Sequence, residues 1–486
     1  MSTQKNNESL KSKTVKGILW GGISTGVQQL LNLIFGIYLA RKLSAEDYGL
    51  VGILTIFTLI ASTIQESGFI SSLANKKDVE YKDYNAVFWT TILISLGLYT
   101  LLFFAAPFIS AFFGIPELTK LSRYLFSSFV FGSFGIAHSA YLFKNLKVKE
   151  RSLATTLSVL ISGIVGIILV YYNFSYWSIV FQSVAYSFSF SAICFFLSDF
   201  RPSLKVDFSP IKGMWKFSNK ILIANIVNHI NNNLLTFYLG KITTKATVGY
   251  YTQANKWSGM TQGIIANMSH GFAQPLLSNL NNDNEKQNRV FLKLLNFICF
   301  TTFPALALLC IISEEFITIT ISSKWLPSVP LLQVLCINAA FAPIINFYGN
   351  YFLSKGASNI YMRHIVAFGL IQLLIIFCLH RLDIIYIVWG MSIFTVFWTF
   401  IWQISIAKHS GIKYLYLGKT IIKYVITVIV GGLIAYYSGH YFINIFASSL
   451  IKIVVFSAIY LSILYIFKSA ILHEIVTYIK KKYVTR

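Results

Sequence analysis

The sequence predicts an all-α polytopic membrane protein of about 14 transmembrane helices: two six-helix lobes followed by two extra C-terminal helices. Three observations carry this. Only 12% of the 486 residues are charged and 56% are apolar, against about 25% charge in a soluble chain, so the residues for a wetted surface are missing. The uncharged runs match the roughly 20 residues that cross a bilayer as helix. A pattern also repeats at an offset of 200 residues.

The elements follow in order. Residues 1–16 are polar and basic and read as a cytoplasmic tail. The uncharged run 17–40 is too long for a cleavable signal segment and stays as the first helix. Runs 48–65, 84–116 and 124–143 give the next three helices. The run 152–198 is long enough for two, with Asn173-Phe174-Ser175-Tyr176 as the turn between them. Helices one to six thus form an N-lobe over 17–198. Residues 199–220 are a basic cytoplasmic linker. The C-lobe, 221–407, holds helices seven to twelve in the runs 221–240, 257–282, 294–313, 325–354, 364–380 and 384–407. Lys256 interrupts a span that otherwise starts near Gly249. Residues 408–468 supply helices thirteen and fourteen, the last bracketed by Lys452 and Lys468. Residues 469–486 form a second cytoplasmic tail.

The net charge is +23, from 40 Lys and Arg against 17 acids. With the N-terminus inside, the segments assigned to the cytoplasm hold 30 of the 40, the outer segments nine, and Lys452 lies inside the last span. This is the positive-inside bias, and it places both termini in the cytoplasm. No basic stripe with stacking aromatics lies outside the apolar runs, which counts against nucleic acid. Cys194, Cys299, Cys310, Cys336 and Cys378 all fall in apolar runs without metal-ligand spacing and read as small buried hydrophobes.

The repeat is specific in its residues. Tyr38-Leu39-Ala40-Arg41 with Gly49 matches Tyr238-Leu239-Gly240-Lys241 with Gly249. Thr25, Gln28, Gln29 and Asn32 match Asn225, Asn228, His229 and Asn232, each set a polar stripe at helical spacing. A looser match pairs Tyr141-Leu142-Phe143-Lys144 with Tyr351-Phe352-Leu353-Ser354-Lys355. Lobes with an even number of helices run parallel, related by an axis along the membrane normal.

Polar stripes in hydrocarbon are costly without a partner or water. Two readings stand: hydrogen bonds within a packed bundle, or a hydrated cavity between the lobes. The cavity candidates are Gln28, Asn32, Asn225, Asn228, His229, Asn232, Thr252, Asn255, Lys256, Asn267 and His270. Asn and Gln suit sugar hydroxyls because each offers donor and acceptor. Lys256 lies about 10 Å into its helix at 1.5 Å per residue, where a charge costs roughly 2.5–3.5 kcal/mol. It is a candidate anion contact, with Arg123, Arg41 and Lys241. Snorkelling to the interface or anchoring a helix end is the alternative. Glu66, at the inner end of helix two, is the candidate for a coupling proton or cation, or a counter-ion to a nearby basic residue. No phosphate-cradling Gly-rich loop, metal-ligand set or nucleophile triad is found, so no cofactor, metal or enzymatic activity is expected.

Several segments carry a family resemblance: Tyr38 to Gly49 (YLARKLSAEDYG), Glu66 to Leu73 (ESGFISSL), Gly249 to Lys256 (GYYTQANK), Phe272-Ala273-Gln274-Pro275-Leu276 with Asn282-Asp283, Lys324 to Pro330 (KWLPSVP) and Ser354 to Ser358 (SKGAS). Together they resemble the Wzx-type polysaccharide (O-antigen or capsule) flippases of the multidrug/oligosaccharidyl-lipid/polysaccharide (MOP) exporter superfamily. The resemblance implies twelve core helices in two MATE-like lobes, often with two more. It implies alternating access in the bacterial cytoplasmic membrane, carrying an undecaprenyl-pyrophosphate-linked oligosaccharide to the periplasmic leaflet for surface polysaccharide synthesis. It also implies coupling to a proton or sodium gradient, with membrane lipids as the other partner. The family's cavities are cationic; here the deep cations are Lys256 and Arg123. The rival readings are a cation-coupled multidrug exporter of the same fold, a lipid II flippase, and a membrane polymerase or glycosyltransferase. Short outer loops and missing acidic catalytic clusters count against the last.

Overall fold

The computed structural model describes residues 2–280, 283–467, 469, 471–474 and 477; the side chains of 2–19, 74–75, 216–221, 264–275 and 279 lie outside the description. Among the described residues there are helices and no strands. In chain order they are α1 (Ser2–Lys42), α2 (Ala45–Glu66), α3 (Phe69–Asn75), α4 (Tyr81–Phe113), α5 (Glu117–Lys144), α6 (Val148–Tyr171), α7 (Trp177–Leu197) and α8 (Ser209–Ile242). Then come α9 (Lys245–Asn279), α10 (Asn284–Ile311), α11 (Ser313–Thr320), a 3₁₀ turn at Ser323–Ser328, α12 (Val329–Ser354), α13 (Ser358–Leu379), α14 (Ile384–Ser410), α15 (Tyr414–His440) and α16 (Ile445–Ile466). Fourteen of these run 21 residues or more. Among the described residues, twelve spans are long and apolar enough to cross a membrane. The long helices outside that count are α8 and α9, which carry the Asn-rich stripes of the seventh and eighth expected spans.

The chain divides into two compact units, residues 1–249 and 250–486. In the first, α5 packs between α4 and α7, α6 joins α7 to α1, and α8 lies against α2, α3 and α4. Compactness therefore groups α8 with the first unit, whereas the sequence repeat pairs it with α1. In the second, α10 contacts α12 and α15, α14 contacts α12 and α13, and α15 pairs with α16.

Local chemistry sets the helix ends. Between α1 and α2 the Leu43 N–H returns to the Leu39 carbonyl at 2.8 Å; between α8 and α9, Thr243 returns to Leu239 at 2.9 Å. Ser44 then caps α2 in a reciprocal box with Asp47, and Thr244 accepts from Thr247 N–H at 3.2 Å. All four positions obey the offset of 200. The second repeated turn behaves likewise. Asn145 N–H returns to Tyr141 and Lys147 to Leu142, as Lys355 returns to Tyr351 and Ala357 to Phe352. Leu146 and Gly356 take the left-handed position. α6 and α7 are parted by 172–176, where Ser175 and the Tyr176 N–H both donate to Asp47 Oδ1.

Prolines inside helices free the carbonyl four residues back, and for Pro107 and Pro304 the fold supplies a replacement donor. Pro107 in α4 frees Phe103 C=O, which accepts from Arg123 Nε at 3.3 Å. Pro304 in α10 frees Phe300 C=O, which accepts from the Tyr460 hydroxyl of α16 at 2.9 Å.

Candidate functional site

Helix α2 stops at Glu66 because Ser67 (φ 44°) and Gly68 (φ 67°) are both left-handed; α3 restarts at Phe69, which is fully buried. The preceding residue fixes the register: Gln65 is buried and its amide donates to Phe129 C=O of α5 at 2.7 Å. This break turns the Glu66 carboxylate into a cavity of about 310 Å³ within the first unit. Asn225 and His229 enter the same cavity from α8, one helical turn apart. Ser62, Thr63 and Ser71 add hydroxyls. Arg151 is the charged neighbour of Glu66, its guanidinium 5.0 Å from the Phe143 ring. The structure thus brings together three of the sequence candidates, Glu66, Asn225 and His229. A carboxylate, an imidazole, an amide and hydroxyls in one small volume can hold a proton or small cation, or replace the hydration of a polyhydroxylated group.

The remaining candidates divide by what they touch. Gln28 donates to Ser24 Oγ at 2.7 Å and to Thr156 Oγ1 at 3.3 Å, so its amide serves the α1–α6 contact. Asn32, Asn232 and Asn255 are exposed, and Asn228 is half-buried. Asn233 donates to the His229 carbonyl at 3.0 Å, a contact within α8. Arg123, besides satisfying Phe103 C=O, lies 4.2 Å over the Phe103 ring. Lys241 donates to Phe112 C=O at the end of α4 and sits 4.9 Å from that ring, where a cation also suits the helix dipole. Arg41 is exposed. Thr252 has a buried hydroxyl with no hydrogen-bond partner among the described residues. Lys256 is half-buried, with Nζ 5.8 Å from the Trp257 ring. Asn267 and His270 lie on α9, and their side chains fall outside the described residues.

Two features were missed by sequence reasoning. Lys452 of α16 pairs with Glu315 of α11, both side chains less than a tenth exposed, and Ser448 donates to the same carboxylate oxygen at 2.9 Å. The signal was available, because a lone Lys in an uncharged span demands a partner. The second is the environment of Gln253, a residue of the Gly249–Lys256 motif: it is fully buried, and among the described residues neither half of its amide is hydrogen-bonded.

Comparison with known proteins bears on the family and the fold. A family model described as "Polysaccharide biosynthesis protein" matches residues 38–330. The chain is 23% identical over 358 residues to the lipopolysaccharide biosynthesis protein WzxC of Escherichia coli (strain K12), covering 72% of each. It is 24% identical over 354 residues to the teichuronic acid biosynthesis protein TuaB of Bacillus subtilis (strain 168), covering 72% of this chain and 73% of that one. Among solved structures, the lipid II flippase MurJ in an inward closed conformation superposes with a TM-score of 0.76 at 18% identity, over 94% of this chain and all of that one. The fold is shared with that protein.

Proposed function

The chain belongs to the polysaccharide biosynthesis protein family, and from that membership and its fold we infer that it is a flippase. It moves a lipid-linked oligosaccharide across the membrane for surface polysaccharide synthesis, by alternating access. The chain is a multi-pass membrane protein. Its membrane, on this reading, is the bacterial cytoplasmic membrane, with both termini inside and the undecaprenyl pyrophosphate of the substrate starting in the inner leaflet. Moving a hydroxylated, charged head through bare hydrocarbon is prohibitively costly, and polar side chains held inside an otherwise apolar bundle remove that barrier.

One observation carries the reading beyond the fold: the cavity that collects Glu66, Asn225 and His229 in helices built mostly of apolar residues. Asn225 and the hydroxyls stand in for water on the sugar. Glu66 is assigned the coupling proton or cation, since it is the carboxylate of that cavity and ends a span. Lys256 is assigned the phosphate.

The test is a deletion strain whose lipids are extracted and assayed by leaflet. Pyrophosphate-linked oligosaccharide should accumulate on the cytoplasmic side and be relieved by the wild-type gene, its mass identifying the glycan. No accumulation, with surface polysaccharide intact, overturns the reading. Efflux of cationic dyes would then favour the multidrug exporter, and rescue of an essential peptidoglycan function the lipid II flippase.

A further inference from the structure

Gln253 and Trp257 stand one turn apart on α9, on the same helix face. Gln253 is fully buried and Trp257 nearly so. Among the described residues neither the amide nitrogen nor the amide oxygen of Gln253 has a hydrogen-bond partner, and neither does Trp257 Nε1. Buried polar atoms are almost always satisfied, so three orphans on adjacent turns require a reason. A leucine in place of Gln253 would fill the same space without leaving the amide unpaired. The groups are retained at a cost to the folded state.

The cover over this face is identifiable. Phe316 of α11 meets the Trp257 ring edge-on at 5.2 Å, and Trp325 of the following 3₁₀ turn meets Tyr250 at 6.0 Å. Tyr250 and Trp257, which flank Gln253 on this helix face, therefore lie against the segment 313–328. That segment bends at Ser322, whose φ of 96° and ψ of 158° fall in a region that essentially only glycine adopts without strain. A strained joint in the cover and unpaired polar groups beneath it belong together if the cover moves.

We propose that Gln253 and Trp257 form a sugar-hydroxyl subsite, covered by residues 313–328 in this conformation and exposed in another. The chemistry selects the ligand. A sugar hydroxyl both donates and accepts, as the Gln253 amide does, and a second hydroxyl accepts from the indole N–H. A phosphate would be drawn to Lys256, whose Nζ lies 5.8 Å from the Trp257 ring at the border of this face; Gln253 and Trp257 themselves present amide and indole, which suit hydroxyls. The inference rests on the flippase reading and names a substrate contact within it.

The experiment compares wild type, Gln253→Leu and Trp257→Phe, reconstituted in vesicles with lipid-linked oligosaccharide extracted from the deletion strain. Gln253→Leu should raise the unfolding temperature, because it removes an unpaired buried amide, and slow translocation by about tenfold or more, the worth of one lost hydrogen-bonding group. Trp257→Phe keeps an aromatic ring, though a smaller one, removes the N–H and should slow translocation in the same direction. A lower unfolding temperature for Gln253→Leu would show that the amide has a structural partner, and undiminished translocation by both variants would show that the pair touches no substrate; either overturns the proposal. Wild-type protein that moves nothing overturns the flippase reading itself, and the subsite with it. Should Gln253→Leu fail to fold, the Trp257→Phe rate decides.

Discussion

Lys452 is the one charged residue of α16, and Glu315 meets it from 137 positions earlier in the chain. Burying either charge alone is expensive; burying them together is tolerable because each is the other's counter-ion and Ser448 adds a hydrogen bond. Lys452→Met should therefore destabilise the protein by about 3–5 kcal/mol, leaving Glu315 buried without its cation, whereas Glu315→Leu combined with Lys452→Met should be near neutral. Thermal unfolding of the three purified variants checks this. A double variant as unstable as the single one would mean that the pair does more than neutralise itself. At this scale the sequence announced the problem and withheld the solution. A lysine inside an apolar run is visible from composition alone. Its partner is not, because nothing local relates position 452 to position 315. Glu66, Asn225 and His229 illustrate the same limit: each was nameable from residue type and spacing, but their convergence depends on where α2 breaks and how α8 lies against it.

Between elements, glycine allows a close backbone approach. A Cβ on Gly49 would fall 1.9 Å from the Lys245 carbonyl oxygen, and one on Gly249 would fall 1.8 Å from that of Ala45. The contact is reciprocal: positions 45 and 49 of α2 meet 245 and 249 of α9, each backbone seated in the notch the other's glycine leaves. Only backbone opposes the added methyl, so no side chain can swing away. Gly249→Ala should force the helices apart and cost about 1–3 kcal/mol or more. Gly97→Ala, which meets nothing within 4 Å, should be neutral or stabilising by up to about 1 kcal/mol. Unfolding temperatures of both variants measure the contrast, and equal effects would contradict this geometry. The repeat was legible because Tyr-Leu-small-basic followed by glycine recurs at one offset. The duties of Arg123 and Tyr460 were not, because each answers a carbonyl freed by a proline in another helix. By residue type Arg123 is a candidate anion contact or an interfacial anchor; the structure adds a backbone acceptor, the Phe103 carbonyl, which the sequence does not reveal.

Across the whole molecule, the uneven distribution of positive charge is the sequence feature that assigns a direction, and direction is what a flippase needs. The connection between α7 and α8 is held to the start of α4: Asn85 binds Ser203 N–H and Lys205 C=O, and Trp89 donates to Ser203 C=O. Lys147 pairs with Asp199 at 2.5 Å and holds its carboxyl below the ordinary range. That connection carries Arg201 and Lys205 beside Leu204, which is 86% exposed. The connection between α15 and α16 carries no Lys or Arg, and its Ile443 is fully exposed. Positively charged loops are retained in the cytoplasm during insertion, so these two exposed positions should face opposite sides of the membrane. In a background with the five free cysteines replaced, a membrane-impermeant maleimide applied to spheroplasts should label Ile443→Cys and leave Leu204→Cys untouched until the membrane is permeabilised. The reverse pattern would invert the topology. Glu66, expected at the cytoplasmic end of its span, would then sit at the outer end, and substrate loading from the inner leaflet would lose its physical basis even though the fold and the family stood unchanged.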